Sequence, residues 1–179
     1  MASRVPTESD VARFRELFTK EVGYVGKTLR RLGVRDADLE DLTHDVFLQV
    51  HGKMGTYDHE RPARPWLFAF AFRLASDYRR RAHRRTEVGA EQLEAPSDRP
   101  LADALLIESD RRALVEAALA TIDLDRRAVL IGHEMDELPM KEIAESLAIP
   151  LNTAYSRLRV ARDEFAAAVR RLQKQGGAR

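Results

Sequence analysis

Six arginines and a group of aromatic side chains share one uninterrupted stretch, residues 66–85. The first half of the stretch is apolar and aromatic, whereas the second half has six arginines against a single acid, Asp77. Clustered guanidinium groups bind a phosphate backbone, and aromatic rings stack on unpaired bases. No glycine or proline interrupts the stretch, so we predict one helix with an apolar base and a cationic end that contacts nucleic acid.

The aromatic residues have a second interpretation, because a helix must also bury one face in the core. Four residues recur at steps of three or four and are predicted to be core: Leu67, Phe70, Leu74 and Tyr78. Three others fall outside this stripe, and for them core packing and base stacking remain equal alternatives: Trp66, Phe68 and Phe72.

Composition limits the class of protein. The 179 residues are 44% hydrophobic, enough for one domain or two small ones, and the net charge is only +1. Any nucleic-acid contact must therefore be a local patch. There is no cysteine, hence no disulfide or thiolate metal site, and no apolar run reaches transmembrane length. The first residues, charged from Arg4, lack the apolar core of a signal peptide, so we expect a cytoplasmic protein with no membrane insertion of its own.

Two helices are predicted before the arginine-rich one. The first starts near Ser9 or Asp10 as N-cap and stops at Gly33; the second spans about residues 36–51. Five acids and no lysine or arginine lie within residues 36–45. Carboxylates near a helix N-terminus complement its dipole, which accounts poorly for Asp45. A docking surface for a basic partner is an equal alternative. Residues 52–65 are rich in Gly, Pro and charge and are predicted to be a loop.

An acidic segment separates two helical parts. Between residues 86 and 110 seven acids face one Arg99, and residues 86–99 have no apolar periodicity. We predict an all-α chain of two small helical domains: a three-helix domain at 9–85, an acidic flexible linker at 86–99, and a helix-turn-helix domain at 100–174.

The C-terminal part has the pattern of a helix-turn-helix. Ile143, Ala144 and Leu147 give one apolar edge, a turn follows at residues 148–150, and a second helix is capped by Asn152 or Thr153. The inner face of that helix has Ala154, Leu158 and Ala161. Its outer face is predicted to contact DNA through Thr153, Tyr155, Ser156, Arg157, Arg159 and Arg162.

With these motifs in place, the chain resembles the extracytoplasmic-function (ECF) subfamily of the sigma-70 family of RNA polymerase sigma factors. The resemblance runs from about Val11 to Val169 and is carried by D-L-E-D-L-T-H-D-V-F-L-Q-V, R-P-W-L-F-A-F-A-F-R-L-A-S-D-Y-R-R-R and I-A-E-S-L-A-I-P-L-N-T-A-Y-S-R-L-R-V-A-R. It implies a cytoplasmic transcription initiation factor, monomeric when free of polymerase, that is no enzyme and needs no cofactor or metal. Its implied partners are core RNA polymerase, promoter DNA and an anti-sigma factor.

The resemblance also implies roles for individual residues. Core-polymerase binding would use Asp38, Asp41, Leu42, Asp45 and Phe47. Minus-ten recognition and melting would use Tyr57, Trp66, Phe68, Arg73, Asp77, Arg79, Arg80 and Arg81. Minus-thirty-five recognition would use Asn152 and the six outer-face residues named above: Thr153, Tyr155, Ser156, Arg157, Arg159 and Arg162.

The chain departs from the family pattern at two places. Ala69, Phe72 and Arg73 stand where the family has Arg, then Arg-Asn, in the minus-ten region. Tyr155 stands where the recognition helix has Lys. A distinct promoter sequence is therefore expected.

Melting of DNA has a physical basis here that needs no nucleotide hydrolysis. The sequence has no Gly-rich phosphate loop, so opening must come from preferential binding of the unpaired strand. Flipped bases in a pocket and phosphates on arginines supply that preference. The loop at residues 53–64, with Tyr57 and His59, is the expected wall of the pocket.

Two other classes of protein also fit parts of the sequence pattern. A stand-alone helix-turn-helix regulator with a helical sensor domain would bind duplex DNA without polymerase. A helical metalloenzyme would use Asp41 and His44 as ligands, but no second pair with that spacing surrounds the other histidines.

Overall fold

A computed structural model describes residues 8–87 and 103–176, and within these ranges all regular structure is helical. The helices are α1 (Glu8–Arg31), α2 (Leu39–Lys53), α3 (Ala63–Glu87), α4 (Asp103–Ala120), α5 (Leu124–Leu130), α6 (Met140–Ser146) and α7 (Leu151–Gly176). Short 3-10 turns at Asp36–Asp38 and Met54–Thr56 flank α2, and a short π-helix at Ile131–Met135 follows α5. The predicted all-α class is confirmed.

The first helical unit consists of α1, α2 and α3, which pack against one another. Leu29 of α1, Val46 of α2 and Leu67 of α3 are fully buried in it. Gly33 ends α1 with a φ of 97°, a left-handed conformation that glycine adopts without steric cost, so the predicted stop is confirmed. The second predicted helix is split in the structure, since residues 36–38 form a 3-10 turn and α2 then continues through Gly52 to Lys53.

The second helical unit consists of α4 to α7, with α7 packed against the other three helices. Ala154, Leu158 and Ala161 are buried, which confirms the predicted inner face of the second helix of the helix-turn-helix. The turn between α6 and α7 places Ala148 at a φ of 53°. The predicted caps Asn152 and Thr153 are wrong: α7 begins at Leu151, directly after Pro150, and both residues lie in its first turn.

Helix α3 extends two residues into the predicted linker. Helix α3 continues through Thr86 to Glu87, and the rest of the linker, residues 88–99, lies outside the described residues. The described part of the fourth helix begins at Asp103. The division into domains at 9–85, 86–99 and 100–174 remains a prediction.

The two units dock on each other through α3 and α6. One continuous hydrophobic core includes residues from both units. Hydrogen bonds also cross between them, such as that from the Ser146 Oγ to the Pro65 carbonyl oxygen at 2.8 Å. The N-terminal part of α3 is therefore covered by the second unit.

Candidate nucleic-acid interface

Tyr57 and Trp66 form a stacked aromatic pair at the start of α3. Their ring centroids are 4.5 Å apart and their planes differ by 20°. The Tyr57 hydroxyl donates a hydrogen bond of 2.7 Å to the Arg61 carbonyl oxygen, which closes the loop between α2 and α3. His59 lies edge-on to Tyr57, with centroids 4.9 Å apart. Burial raises the pKa of Tyr57, helped by the charge of Asp58, so this hydroxyl stays protonated. The pair is a half-buried platform on which a flat base can stack.

The three aromatic residues for which core packing and base stacking are both possible differ in burial. Trp66 and Phe72 are half-buried, whereas Phe68 is fully buried. The tip of the Phe68 ring lies beside Gly132 of the second unit, where an added Cβ would be only 3.4 Å from its Cζ. Phe68 therefore packs in the contact between units, and it cannot reach a base while the units are docked.

The cationic end of α3 lies along a large cleft. Arg73 and Arg81 are exposed, and Arg73 lies over the Phe70 ring, 5.6 Å from its centroid. Arg80 forms an ion pair with Asp77, so this predicted site acid orients a predicted site arginine. The cleft has a volume of about 1390 Å³ and is lined by residues of both units, with arginines at positions 35, 79, 80, 81, 84 and 127. This arrangement matches a phosphate-binding surface.

Arg127 is a residue that sequence reasoning missed. Its side chain is 1% exposed, and its guanidinium donates to the carbonyl oxygens of Ala120 and Ile122, each at 2.8 Å, and of Leu32 at 3.3 Å. Burial, and then the nearby charge of Arg79, lowers its pKa to about 10. In the sequence, Arg126 and Arg127 are consecutive arginines in a polar segment, which is typical of surface residues. No hydrophobic periodicity indicates that Arg127 is buried.

The acidic surface of α2 is mostly free for a partner. Asp41 and Asp45 are exposed, and Leu48 beside them is 57% exposed. Leu42 is half-buried, and Phe47 is buried against Phe18, so Phe47 shapes this surface from beneath.

Asp38, the remaining acid predicted for polymerase binding, belongs to a local network. It accepts hydrogen bonds from Tyr78 Oη at 2.6 Å and from Arg35 Nε at 2.9 Å. Arg35 Nε also donates a hydrogen bond of 3.0 Å to Tyr78 Oη, and this bond, followed by that to Asp38, raises the pKa of Arg35. Asp38 therefore also ties the turn before α2 to α3.

The predicted recognition surface of α7 contains exposed side chains and arginines that pair with carboxylates. Asn152, Tyr155, Ser156 and Arg159 are exposed, and Tyr155 is 54% exposed. Two arginines have carboxylate partners in the same unit: Arg157 with Asp125 at 2.9 Å, and Arg162 with Glu134. Thr153 is half-buried, and its carbonyl oxygen accepts a hydrogen bond from the Ser156 hydroxyl at 3.0 Å. The exposed set includes Tyr155, the position that departs from the family pattern.

No three His, Cys, Asp or Glu side chains within residues 8–87 and 103–176 gather closely enough to hold a metal ion. None of the helices in the same ranges is long and apolar enough to cross a membrane.

Comparison with known proteins identifies the family. Residues 17–85 match the family Sigma-70 region 2, and residues 112–164 match Sigma-70, region 4. The ECF RNA polymerase sigma factor SigK of Mycobacterium sp. (strain KMS) is 30% identical over 165 residues, which cover 87% of this chain and 82% of the relative. SigL of Mycobacterium tuberculosis (strain ATCC 25618 / H37Rv), another ECF RNA polymerase sigma factor, is 29% identical over 155 residues, 86% of each chain. The chain therefore belongs to the ECF RNA polymerase sigma factors, as the sequence motifs predicted.

Solved structures agree in fold. RpoE in complex with the anti-sigma factor NepR, from Bartonella quintana, aligns with a TM-score of 0.72 at 17% identity, covering 88% of this chain and 97% of that one. CnrH in complex with the cytosolic domain of CnrY aligns with a TM-score of 0.62 at 21% identity, covering 86% and 85%. At these identities the likeness concerns the fold alone.

Proposed function

We propose that this ECF sigma factor binds core RNA polymerase, directs it to its own set of promoters and opens the DNA at the minus-ten element. The observation that carries the proposal is the Tyr57–Trp66 stack beside the cationic length of α3. A base that leaves the duplex gains a stacking surface there, while its phosphates gain guanidinium partners. Binding that favours the unpaired strand shifts the equilibrium toward open DNA.

Core polymerase and the two promoter elements each bind a separate surface of the chain. The acidic face formed by α2 and the turn before it binds a basic surface of the polymerase through Asp38, Asp41, Leu42, Asp45 and Leu48, and Phe47 supports this face from within. The minus-ten element meets Tyr57, Trp66, Arg73 and Arg79–Arg81, with Asp77 orienting Arg80. The minus-thirty-five element meets α7 through Asn152, Thr153, Tyr155, Ser156, Arg157, Arg159 and Arg162.

Further proposals follow from the family. The chain acts in the cytoplasm, as an initiation factor and not as an enzyme, and is monomeric when free of polymerase. Since both solved structures above are complexes with a second protein, one of them an anti-sigma factor, we also propose an anti-sigma partner for this chain.

Co-elution and transcription test the proposal together. Purified chain is mixed with core RNA polymerase, passed over a size-exclusion column and assayed for run-off transcription on templates selected from a promoter library. Co-elution and promoter-dependent transcripts are expected. Binding of duplex DNA by the chain alone, as a dimer and without any effect of core polymerase, would instead identify a stand-alone helix-turn-helix regulator.

A further inference from the structure

We propose that the cleft at the cationic end of α3 is a binding site for a small oligophosphate, held between an arginine of α3 and an arginine of α5. The ligand class is a flexible chain of phosphates, either free, as in tripolyphosphate, or attached to a nucleoside, as in ATP. This inference goes beyond the proposed function, because it concerns the chain alone, without polymerase and without DNA.

The cleft keeps an excess of positive charge after its ion pairs are counted. Arg80 pairs with Asp77, and Arg35 donates to Asp38. Four other lining arginines have no carboxylate partner among the described residues: Arg79, Arg81, Arg84 and Arg127. One further acid, Asp123, lines the cleft, so about three positive charges remain uncompensated there. A compact anion with several negative charges is the ligand that matches this excess.

Two of these arginines come close together beside Gly33, which also lines the cleft. A Cβ added to Gly33 would lie 2.8 Å from Arg127 Nη1 and 3.4 Å from Arg79 Nη1. The two guanidinium groups therefore lie within about 6 Å of each other, a distance at which like charges repel. Since Arg79 belongs to the first unit and Arg127 to the second, an anion close to both replaces this repulsion by two attractions.

Arg127 is anchored, so its charge cannot move away from the cleft. Its Nη atoms donate to carbonyl oxygens, which are neutral, and its Nε is buried with no hydrogen-bond partner among the described residues. Its pKa of about 10 still leaves it protonated at neutral pH. Asp123, whose charge acts in the opposite direction to that of Arg79, is engaged as the N-cap of α5. Arg127 thus supplies a fixed positive charge, while Arg79, Arg81 and Arg84 supply donors that can reach a ligand.

The spacing of the arginines favours a chain of phosphates over a single phosphate ion. Positions 79 and 84 of α3 are about 7.5 Å apart along the helix axis, at about 1.5 Å per residue. A single phosphate contacts only one end of this row, whereas a chain of three phosphates spans it. The cleft, at about 1390 Å³, is also larger than the roughly 300–1,000 Å³ of most small-ligand pockets, and Tyr78 and Leu124 in its lining offer apolar surface to a nucleoside.

Equilibrium dialysis of the full chain against radiolabelled tripolyphosphate, without divalent cations, measures the binding directly. Arg79→Gln and Arg84→Gln each remove one charge from the cleft and should weaken binding about tenfold. The control Arg73→Gln removes the same charge from α3 outside the cleft, where Arg73 lies over the Phe70 ring, and should bind as wild type does. No binding by wild type, or equal losses in all three variants, would overturn the proposal.

Melting temperatures distinguish a binding role of Arg79 from a structural one. Without ligand, Arg79→Gln should melt at a higher temperature than wild type, because the charge that repels Arg127 is gone. With saturating tripolyphosphate the order should reverse, since a ligand that binds only the folded chain stabilises it, and wild type binds more tightly. Arg73→Gln should show the same ligand-induced rise as wild type. An order of melting temperatures that does not reverse contradicts the proposal.

Sulfate and ATP, each used as a competitor at matched ionic strength, identify the form of the ligand. Sulfate should compete about tenfold less effectively than unlabelled tripolyphosphate, and equal competition would overturn the assignment to a phosphate chain. Tighter binding of ATP than of tripolyphosphate would add a contact to the nucleoside, whereas equal or weaker binding assigns the site to the free chain. Run-off transcription with core polymerase is measured in parallel, because its absence refutes the proposed function without changing the dialysis result.

Discussion

The guanidinium of Arg157 lies 2.9 Å from the carboxylate of Asp125, so the arginine predicted to read a base is held at the edge of α7 by α5. An arginine paired to a guanine edge contributes about 1–3 kcal/mol of discrimination. Arg157→Ala should therefore change the preferred minus-thirty-five sequence, as measured by selection from a promoter library. Asp125→Asn is the matched control and should keep the wild-type preference. Identical sequence logos for wild type and Arg157→Ala would show that Arg157 contacts only the backbone.

Arg162, five residues further along α7, should behave differently. It is exposed, pairs with Glu134, and lies farther from the helix N-terminus, which normally enters the groove. Arg162→Ala should weaken binding to all promoters alike and reduce the logarithmic salt slope by about one unit, because one phosphate contact is lost. Titrations at several salt concentrations measure the slope, and a changed sequence preference would contradict the assignment.

The acidic face of α2 gives a prediction on polymerase binding. Asp41 and Asp45 are exposed, so reversing both to Lys should abolish binding to core RNA polymerase and leave the helix content unchanged. The control reverses two exposed acids elsewhere, Glu16 and Asp163, with the same change in net charge. Affinity for core is measured by fluorescence anisotropy. Equal loss in both variants would mean that net charge alone, and not this surface, determines binding.

Trp66 provides a prediction on DNA opening. Stacking contributes about 1–3 kcal/mol per base, so Trp66→Ala should reduce open-complex formation about tenfold or more while closed binding changes little. Replacing the three arginines at 79–81 should have the same effect. Permanganate reactivity of unpaired thymines reports the bubble, and Phe72→Ala, at another half-buried ring of α3, is the comparison. A normal bubble with Trp66→Ala would assign Trp66 to packing only.

Asp136 links docking of the units to pH. Burial raises its pKa above the ordinary value of 3.8, and the charge of Arg31 opposes this rise in part. The docked state therefore holds the Asp136 proton more tightly than the separated state, so acidification strengthens docking and rising pH weakens it. The melting temperature of wild type relative to Asp136→Asn should accordingly increase as the pH falls from 7 toward the ordinary pKa of 3.8. A difference that stays constant or decreases would contradict the sign.

Periodicity predicted the internal faces of the helices correctly, because burial within one helix hairpin follows the 3.6-residue repeat. Leu67 and Phe70 are buried as their spacing required, and Ala154, Leu158 and Ala161 form the inner face of α7. The stop at Gly33 followed from backbone chemistry alone.

The contact between units could not be predicted in this way. Phe68 lies off the stripe of α3, and the tip of its ring packs against Gly132, 64 positions along the chain. Asp136 is a charged residue in a polar part of the sequence, and its side-chain partners Arg31 and Thr28 lie in the other unit. Arg127 has acceptors in both units, since it donates to Leu32 as well as to Ala120 and Ile122. The caps proposed at Asn152 and Thr153 failed because Pro150, with its fixed φ, already starts the helix one residue before Asn152.

The shared hydrogen bonds of Arg127 have a calorimetric consequence. One guanidinium satisfies the carbonyl oxygens of Ala120 and Ile122 where α4 ends and of Leu32 where α1 ends. If the first unit melts alone, buried Arg127 loses the Leu32 acceptor, and if the second unit melts alone, the Leu32 carbonyl oxygen loses this donor. The two family regions should therefore melt in one cooperative endotherm, with equal calorimetric and van't Hoff enthalpies.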